Sequence, residues 1–208
     1  MDVDAPGADD KVESPVRALE GGERVIRSEL AFSGKLIKVR VDEVLLPGGR
    51  VAKREIVVHR GAVAVVGIDG DMVLMERQYR HAAGKPMWEI PAGTLEEGED
   101  PLECARRELL EETGYTAESM EEVMHFYVAV GYSTEIIHLF FATGLKKAKP
   151  SPEEDETIRA EMVPLDQVLK MVRTNEIEDA KTIIGVLMLL LRDKTSSKGQ
   201  FLSVRDPR

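Results

Sequence analysis

The chain is short of several things, and each shortage narrows the field. It has one cysteine in 208 residues, Cys104, so no intramolecular disulfide framework is available and nothing points to secretion. Positive charge is in the minority: 28 Lys and Arg against 38 Asp and Glu leave a net charge of -10, with a pI of about 5.0. That balance argues against a nucleic-acid backbone as the main partner. Long apolar runs are missing too. The longest, Ile183 to Leu191, is broken by Gly185 and is too short to span a bilayer. The opening MDVDAPGADDKVESP has no apolar core and does not read as a signal peptide. The expectations are a cytoplasmic protein with no membrane and no nucleic-acid partner. Hydrophobic residues make up 43%, ordinary for a globular chain.

Residues 1–15 read as a disordered segment, with few apolar residues and many Asp, Pro and Gly. Residues 16–60 read as an N-terminal β region. Leu36 to Val44 partly alternates, Pro47-Gly48-Gly49 marks a turn, and Arg54 to His59 follows as a strand. So small a hairpin piece needs the main domain or a second subunit to cover it. Residues 61–194 read as the main domain, and residues 195–208 as a tail without periodicity. Gly61 to Ile68 is a continuous apolar run, which suits a strand buried on both faces. Further strands are expected over Met72 to Glu76, Met124 to Val128, Glu135 to Ala142 and Glu161 to Val163. Helices are expected over Leu165 to Arg173 and from Asp179 to about Arg192. Lys146 to Thr157 reads as a long polar loop carrying Glu153-Glu154-Asp155-Glu156. The residues alone support a mixed α and β fold.

The most informative stretch is Gly93 to Tyr115, GTLEEGEDPLECARRELLEETGY. Asp100 at an N-cap, Pro101 at the first helical position and Glu103 at the third make a capping box. Gly114 stands where a left-handed C-terminal cap is wanted. The helix is therefore expected over Pro101 to Thr113. Leu102, Ala105 and Leu109 share a core-facing stripe. Glu108, Glu111 and Glu112 form an adjacent stripe of like charge, read as an exposed face. A carboxylate cluster beside a glycine-rich loop is what a hard divalent cation uses. Arg107 is one turn from Glu111 and in reach of Glu99, so it is expected to pin the loop to the helix. Cys104 reads as a helix filler rather than a nucleophile.

Gly93, Glu99, Arg107-Glu108, apolar Leu109, Glu111-Glu112 and Gly114 keep the spacing G-x5-E-x7-R-E-U-x-E-E-x-G-U, with U apolar. Seven specified identities arise by chance about once in 10⁸ windows. The segment resembles the Nudix box, and the chain resembles a Nudix hydrolase. The resemblance implies an α/β/α sandwich around a mixed sheet, with an N-terminal antiparallel hairpin region. It also implies hydrolysis of a nucleoside diphosphate linked to another group. Glu108, Glu111 and Glu112 would then bind Mg²⁺, with Mn²⁺ as the alternative, and Glu111 would also serve the catalytic step.

RQYR followed by WEIPAG resembles the branch of ADP-ribose and NDP-sugar pyrophosphatases. There the arginine matching Arg80 contacts the diphosphate, and Ala92 offers its carbonyl to a metal. Glu89 of WEIPAG joins the substrate side on the same resemblance. Arg54 resembles a substrate-contacting arginine, and Tyr132 is a candidate for the base or ribose pocket. The branch keeps its water-activating glutamate in a loop beyond the box. Glu154 and Glu156 are the candidates, with Glu154 as base and Glu156 as a metal-side ligand, or the two in reversed order. That loop is expected to close over the bound diphosphate. The hairpin region implies a homodimer. Val130 stands where the ADP-ribose enzymes usually carry a proline, within Ala129-Val130-Gly131-Tyr132-Ser133. ADP-ribose is the leading substrate. Another NDP-sugar, such as GDP-mannose or ADP-glucose, and a silent nucleotide-binding sensor are the alternatives.

Overall fold

The computed structural model describes residues 22–148 and 158–196. The expected disorder over 1–15, most of the tail, and the loop positions Glu154 and Glu156 lie outside the described residues. The chain divides into two compact units. One takes in Met1–His59 and Ala129–Glu135, and the other Arg60–Val128 and Ile136–Arg208.

In the first unit, β1 (Arg24–Ser33), β2 (Lys38–Leu45) and β3 (Val51–Val58) form an antiparallel sheet in that order. The sequence pattern resolved only the second and third as separate strands. Gly48 and Gly49 turn the chain with φ of +94° and +84°, which suits residues without a Cβ. The turn is closed by the Leu46 N–H donating to the Arg50 carbonyl at 2.8 Å. Residues 129–135 attach to β3: the Val57 N–H donates to the Tyr132 carbonyl (2.7 Å) and the Thr134 N–H to the Val57 carbonyl (3.0 Å). Ile26, Leu30, Phe32, Leu36 and Val51 are exposed on this unit.

The second unit is built on a mixed sheet. Its strands are β4 (Ala62–Asp69), β5 (Met72–Arg80), β6 (Lys85–Glu89), β7 (Ala92–Thr94), β8 (Tyr115–Tyr127), β9 (Ile136–Lys147) and β10 (Ile158–Pro164). The order is β10-β5-β4-β9-β8, with β6 on β5 and β7 on β4. β4 and β9 run parallel, and the other pairs are antiparallel. The helices are α1 (Pro101–Thr113), α2 (Leu165–Arg173) and α3 (Ala180–Ser196). Strand side chains alternate between faces, and the continuous apolar run of β4 serves both. Val63 and Val65 pack with Cys104, Ala105 and Leu109 of α1. Ala62, Ala64 and Val66 pack with Val168 and Met171 of α2 and Val186 and Leu189 of α3. The result is the expected α/β/α sandwich around a mixed sheet.

Two strand expectations need correction. β8 begins at Tyr115 rather than Met124 and is 13 residues long. It is an edge strand with polar residues through TAESMEE, and a bulge between Glu122 and Met124 breaks its alternation. β9 continues to Lys147, into the stretch read as loop, because Lys146 and Lys147 pair with Thr116 and Tyr115. Among the described residues, no helix is long and apolar enough to cross a membrane.

Candidate active site

α1 occupies the predicted span because its ends are chemically marked. Asp100 is extended (φ -70°, ψ 132°), and its Oδ1 accepts the N–H groups of Leu102 at 2.9 Å and Glu103 at 3.3 Å. Gly114 takes the left-handed conformation at φ 68° and donates its N–H to the Leu110 carbonyl. The Glu103 half of the capping box is different. Glu103 lies 3.9 Å from Arg106 instead of returning to Asp100.

Arg107 is the hub of the box. Its Nε and Nη2 donate to the two Glu99 oxygens at 3.0 and 3.1 Å, so the loop is pinned to the helix as expected. Its Nη1 donates to Glu108 at 2.8 Å and to Glu111 at 3.0 Å. The Arg107 bonds hold the Glu99 carboxyl down at about 2, with the Glu96 N–H adding a further bond at 2.8 Å. Burial pushes the Cys104 thiol up to about 12, which leaves it inert as a nucleophile.

A pH prediction follows from Glu99. Its folded-state pKa lies below the unfolded value near 4.5, so its stabilisation is present above that value and is lost as pH falls toward about 2. Arg107→Ala is expected to cost the metal-free chain about 2–3 kcal/mol at neutral pH. The deficit should narrow below about pH 4, because the wild type then loses the same contribution. Denaturant unfolding of both chains across pH checks this, and a deficit independent of pH would contradict it.

The carboxylate stripe is not the exposed face expected. Glu112 is only 8% exposed, and its Oε2 accepts the Ala92 N–H at 2.9 Å. β7 lies against α1, and Gly93 is the reason it can. A Cβ at Gly93 would stand 1.9 Å from Glu108 Cδ and 2.0 Å from its Oε1. Backbone from Ala92-Gly93 thus covers the stripe, leaving Glu111 as its most open member. The set is oxygen-only and anionic, which fits a hard divalent cation.

A second cluster lies beside the first. Glu89 accepts from Arg80 in bidentate fashion, Nε at 2.7 Å and Nη2 at 2.9 Å, and also from Lys181 Nζ. Lys181 is also 3.2 Å from Asp179. Asp179 Oδ2 accepts the Thr182 N–H at 2.9 Å and its hydroxyl at 2.6 Å, which caps α3 as expected. Thr182 Oγ1 in turn accepts the Ile90 N–H at 2.9 Å. Arg80 and Glu89, both placed on the substrate side by sequence, are therefore partners of each other.

Glu76 was missed by sequence. It is fully buried in β5, opposite Glu89, with no hydrogen bond of good geometry to either oxygen among the described residues. Burial, then the Glu89 charge, pushes its carboxyl up to about 8, with the Glu112 carboxyl as a further neighbour. Its signal was a glutamate at the end of Val73-Leu74-Met75, on the same face as buried Leu74. Lys181, deep at the start of α3, carried no comparable signal.

Arg54 and Tyr132 belong to the first unit. Arg54 donates to Glu23 through Nε at 3.1 Å and also through Nη2. Tyr132 is exposed, and Val130 is 82% exposed.

The NUDIX domain model matches residues 58–184, and the nucleoside diphosphate sugar hydrolase N-terminal domain model matches residues 23–57. A methanol dehydrogenase activator of Bacillus methanolicus is 44% identical over 85% of this chain and 97% of its own length. An ADP-ribose pyrophosphatase of Bacillus subtilis (strain 168) is 42% identical over 82% of this chain and 94% of its own. A solved structure described as an ADP compounds hydrolase superposes with a TM-score of 0.74 at 20% identity, covering 86% of this chain and 97% of that one. That last likeness carries the fold. The intact box on α1, the mixed sheet beneath it and a domain match over more than half the chain make this protein a Nudix hydrolase.

Proposed function

We propose that the chain hydrolyses the diphosphate of ADP-ribose, consuming water and releasing AMP and ribose 5-phosphate. The observation that carries this is the 42% identity to an ADP-ribose pyrophosphatase over 94% of that protein's length. The carboxylate set supports it. Glu108, Glu111 and Glu112, with the Ala92 carbonyl, would hold Mg²⁺, with Mn²⁺ as the alternative. Such a cation, when bound, neutralises diphosphate charge and polarises the attacked phosphorus. Arg107 fixes the orientation of Glu108 and Glu111 from one side, and the Ala92 N–H fixes Glu112 from the other. Arg80 supplies a planar guanidinium for the diphosphate. Its bidentate partner Glu89 holds that plane in place before the ligand arrives. Incubation with ADP-ribose and Mg²⁺, followed by detection of AMP, tests the proposal; an intact substrate would refute it.

A second reading has one observation in its favour. The match of residues 23–57 is to a nucleoside diphosphate sugar hydrolase domain, which fits GDP-mannose or ADP-glucose as well. A panel of NDP-sugars under equal conditions ranks them by kcat/KM.

Water activation is assigned to Glu154, with Glu156 on the metal side. Glu154→Gln and Glu156→Gln should each lower the rate at saturating substrate far more than they weaken substrate binding. Full turnover in both single variants and the double variant would leave activation to the box carboxylates. The chain is also proposed to act as a cytoplasmic homodimer, paired through the first unit. The exposed apolar residues of its three-stranded sheet support this. Sedimentation should give about twice 23.1 kDa, and a monomer at micromolar concentration would count against pairing.

A further inference from the structure

We propose that Glu122, His125 and His138 form a second cation site, for a transition metal ion of the zinc class, separate from the box carboxylates on α1. Their ligand atoms all lie within 4.8 Å of one another. His138 Nδ1 is 2.8 Å from Glu122 Oε1, and His125 Nδ1 is 3.7 Å from the same oxygen. The two rings stand 5.7 Å apart, centroid to centroid.

The backbone explains how three such residues meet. His125 and His138 are register partners on β8 and β9. Glu122 is three residues before His125, and in a regular strand that odd spacing puts side chains on opposite faces. The bulge between Glu122 and Met124 cancels the mismatch. It turns both Val123 and Met124 into the core on the α2–α3 side. Glu122 and His125 then share the face of His138 and Phe140, which is the α1 side. A hydrogen-bonded pair accounts for Glu122 and His138. It does not account for His125, whose Nδ1 stands 3.7 Å from the same oxygen, beyond hydrogen-bond distance.

The chemistry of the set selects the ion. Imidazole suits Zn²⁺, Ni²⁺ and Cu²⁺, whereas Mg²⁺ takes oxygen donors, so this site and the box prefer different metals. Around a tetrahedral Zn²⁺, neighbouring ligand atoms are about 3.3 Å apart. The spacing here needs only rotation of the exposed His125 and Glu122 side chains. Two imidazoles and one carboxylate leave a fourth position for water. Val63 pairs with both Gly93 and His138, so the site lies two strand spacings from Gly93, roughly 10 Å along the sheet.

The test is titration of the full chain with Zn²⁺ in excess Mg²⁺, followed calorimetrically and by the imidazole NMR signals. One Zn²⁺ per chain is expected, with the His125 and His138 signals shifting together. His125→Ala, His138→Ala and Glu122→Gln should each weaken binding by at least about 10-fold, the scale that losses outside the ligand sphere already reach. The same Zn²⁺ should remain in Glu112→Gln, which separates this site from the box. Wild-type chain that takes up no Zn²⁺ under excess Mg²⁺ would overturn the proposal. So would unchanged uptake in both histidine variants.

Discussion

Glu112→Gln should lose turnover by at least about 10²–10³-fold, the range seen when one preorganised electrostatic contact is removed from a reacting site, and should stay folded. The amide keeps an oxygen that can accept the Ala92 N–H now bonded at 2.9 Å, so the contact between β7 and α1 survives. What disappears is one negative charge from a donor set that needs it. The site is closely covered there, which makes the charge worth more than on a solvated face. Thermal unfolding should be close to wild type, while AMP release from ADP-ribose at saturating Mg²⁺ falls to background. Near wild-type turnover would remove Glu112 from the cation site.

Gly93→Ala should produce a similar loss without touching a charged residue. The new Cβ would stand 1.9 Å from Glu108 Cδ, and no real Cβ tolerates that approach. Glu108 is the yielding partner because its carboxylate is the far end of a flexible side chain. Overpacking of this kind costs about 1–3 kcal/mol, which leaves the chain folded. The displaced carboxylate, however, can no longer hold its present position on Arg107 Nη1, which it shares with Glu111. Turnover should fall by at least about 10²-fold, and the Mg²⁺ concentration for half-maximal rate should rise, since the displaced group is a charged contact of the reacting site. A variant with unchanged Mg²⁺ dependence would show that the position of Glu108 is not critical.

These two residues also show what was legible in the sequence. α1 was readable to the residue because Asp100, Pro101 and Gly114 each demand one place at a helix end. β4 was readable because a strand buried on both faces must be apolar throughout. That Glu99 lies within reach of Arg107 was also legible, and the structure forms that contact. The burial of Glu112 did not. Helical periodicity says which side chains share a face, but not which backbone covers it, and here β7 arrives from outside the helix. Gly93 was visible as an invariant of the motif, while its cause, the closeness of Glu108, is a tertiary distance. β8 escaped because an edge strand needs no apolar alternation and carries a bulge. Glu76 escaped because a buried charge contradicts the ordinary rule, and only its neighbours Glu89, Lys181, Arg80 and Glu112 give it a setting.

The attachment of residues 129–135 to β3 has a consequence in time. His59 and Thr134 are hydrogen-bonded across a separation of 75 residues, the His59 N–H donating to Thr134 Oγ1 at 2.9 Å. Val57 makes its two bonds to the same late segment. The first unit is therefore contiguous in space but not in synthesis. On the ribosome, the three-stranded sheet emerges complete, yet β3 must wait for its partner for roughly 4–15 s at ordinary elongation rates of 5–20 residues per second. Closing so long a loop is also costly while the intervening chain is unfolded. Once β8 and β9 have paired, their connection brings 129–135 back as a preformed turn, and most of that entropy has been spent. The docking of this segment on β3 is thus a late event in folding, and the first unit is completed only by residues made some 75 positions after its third strand.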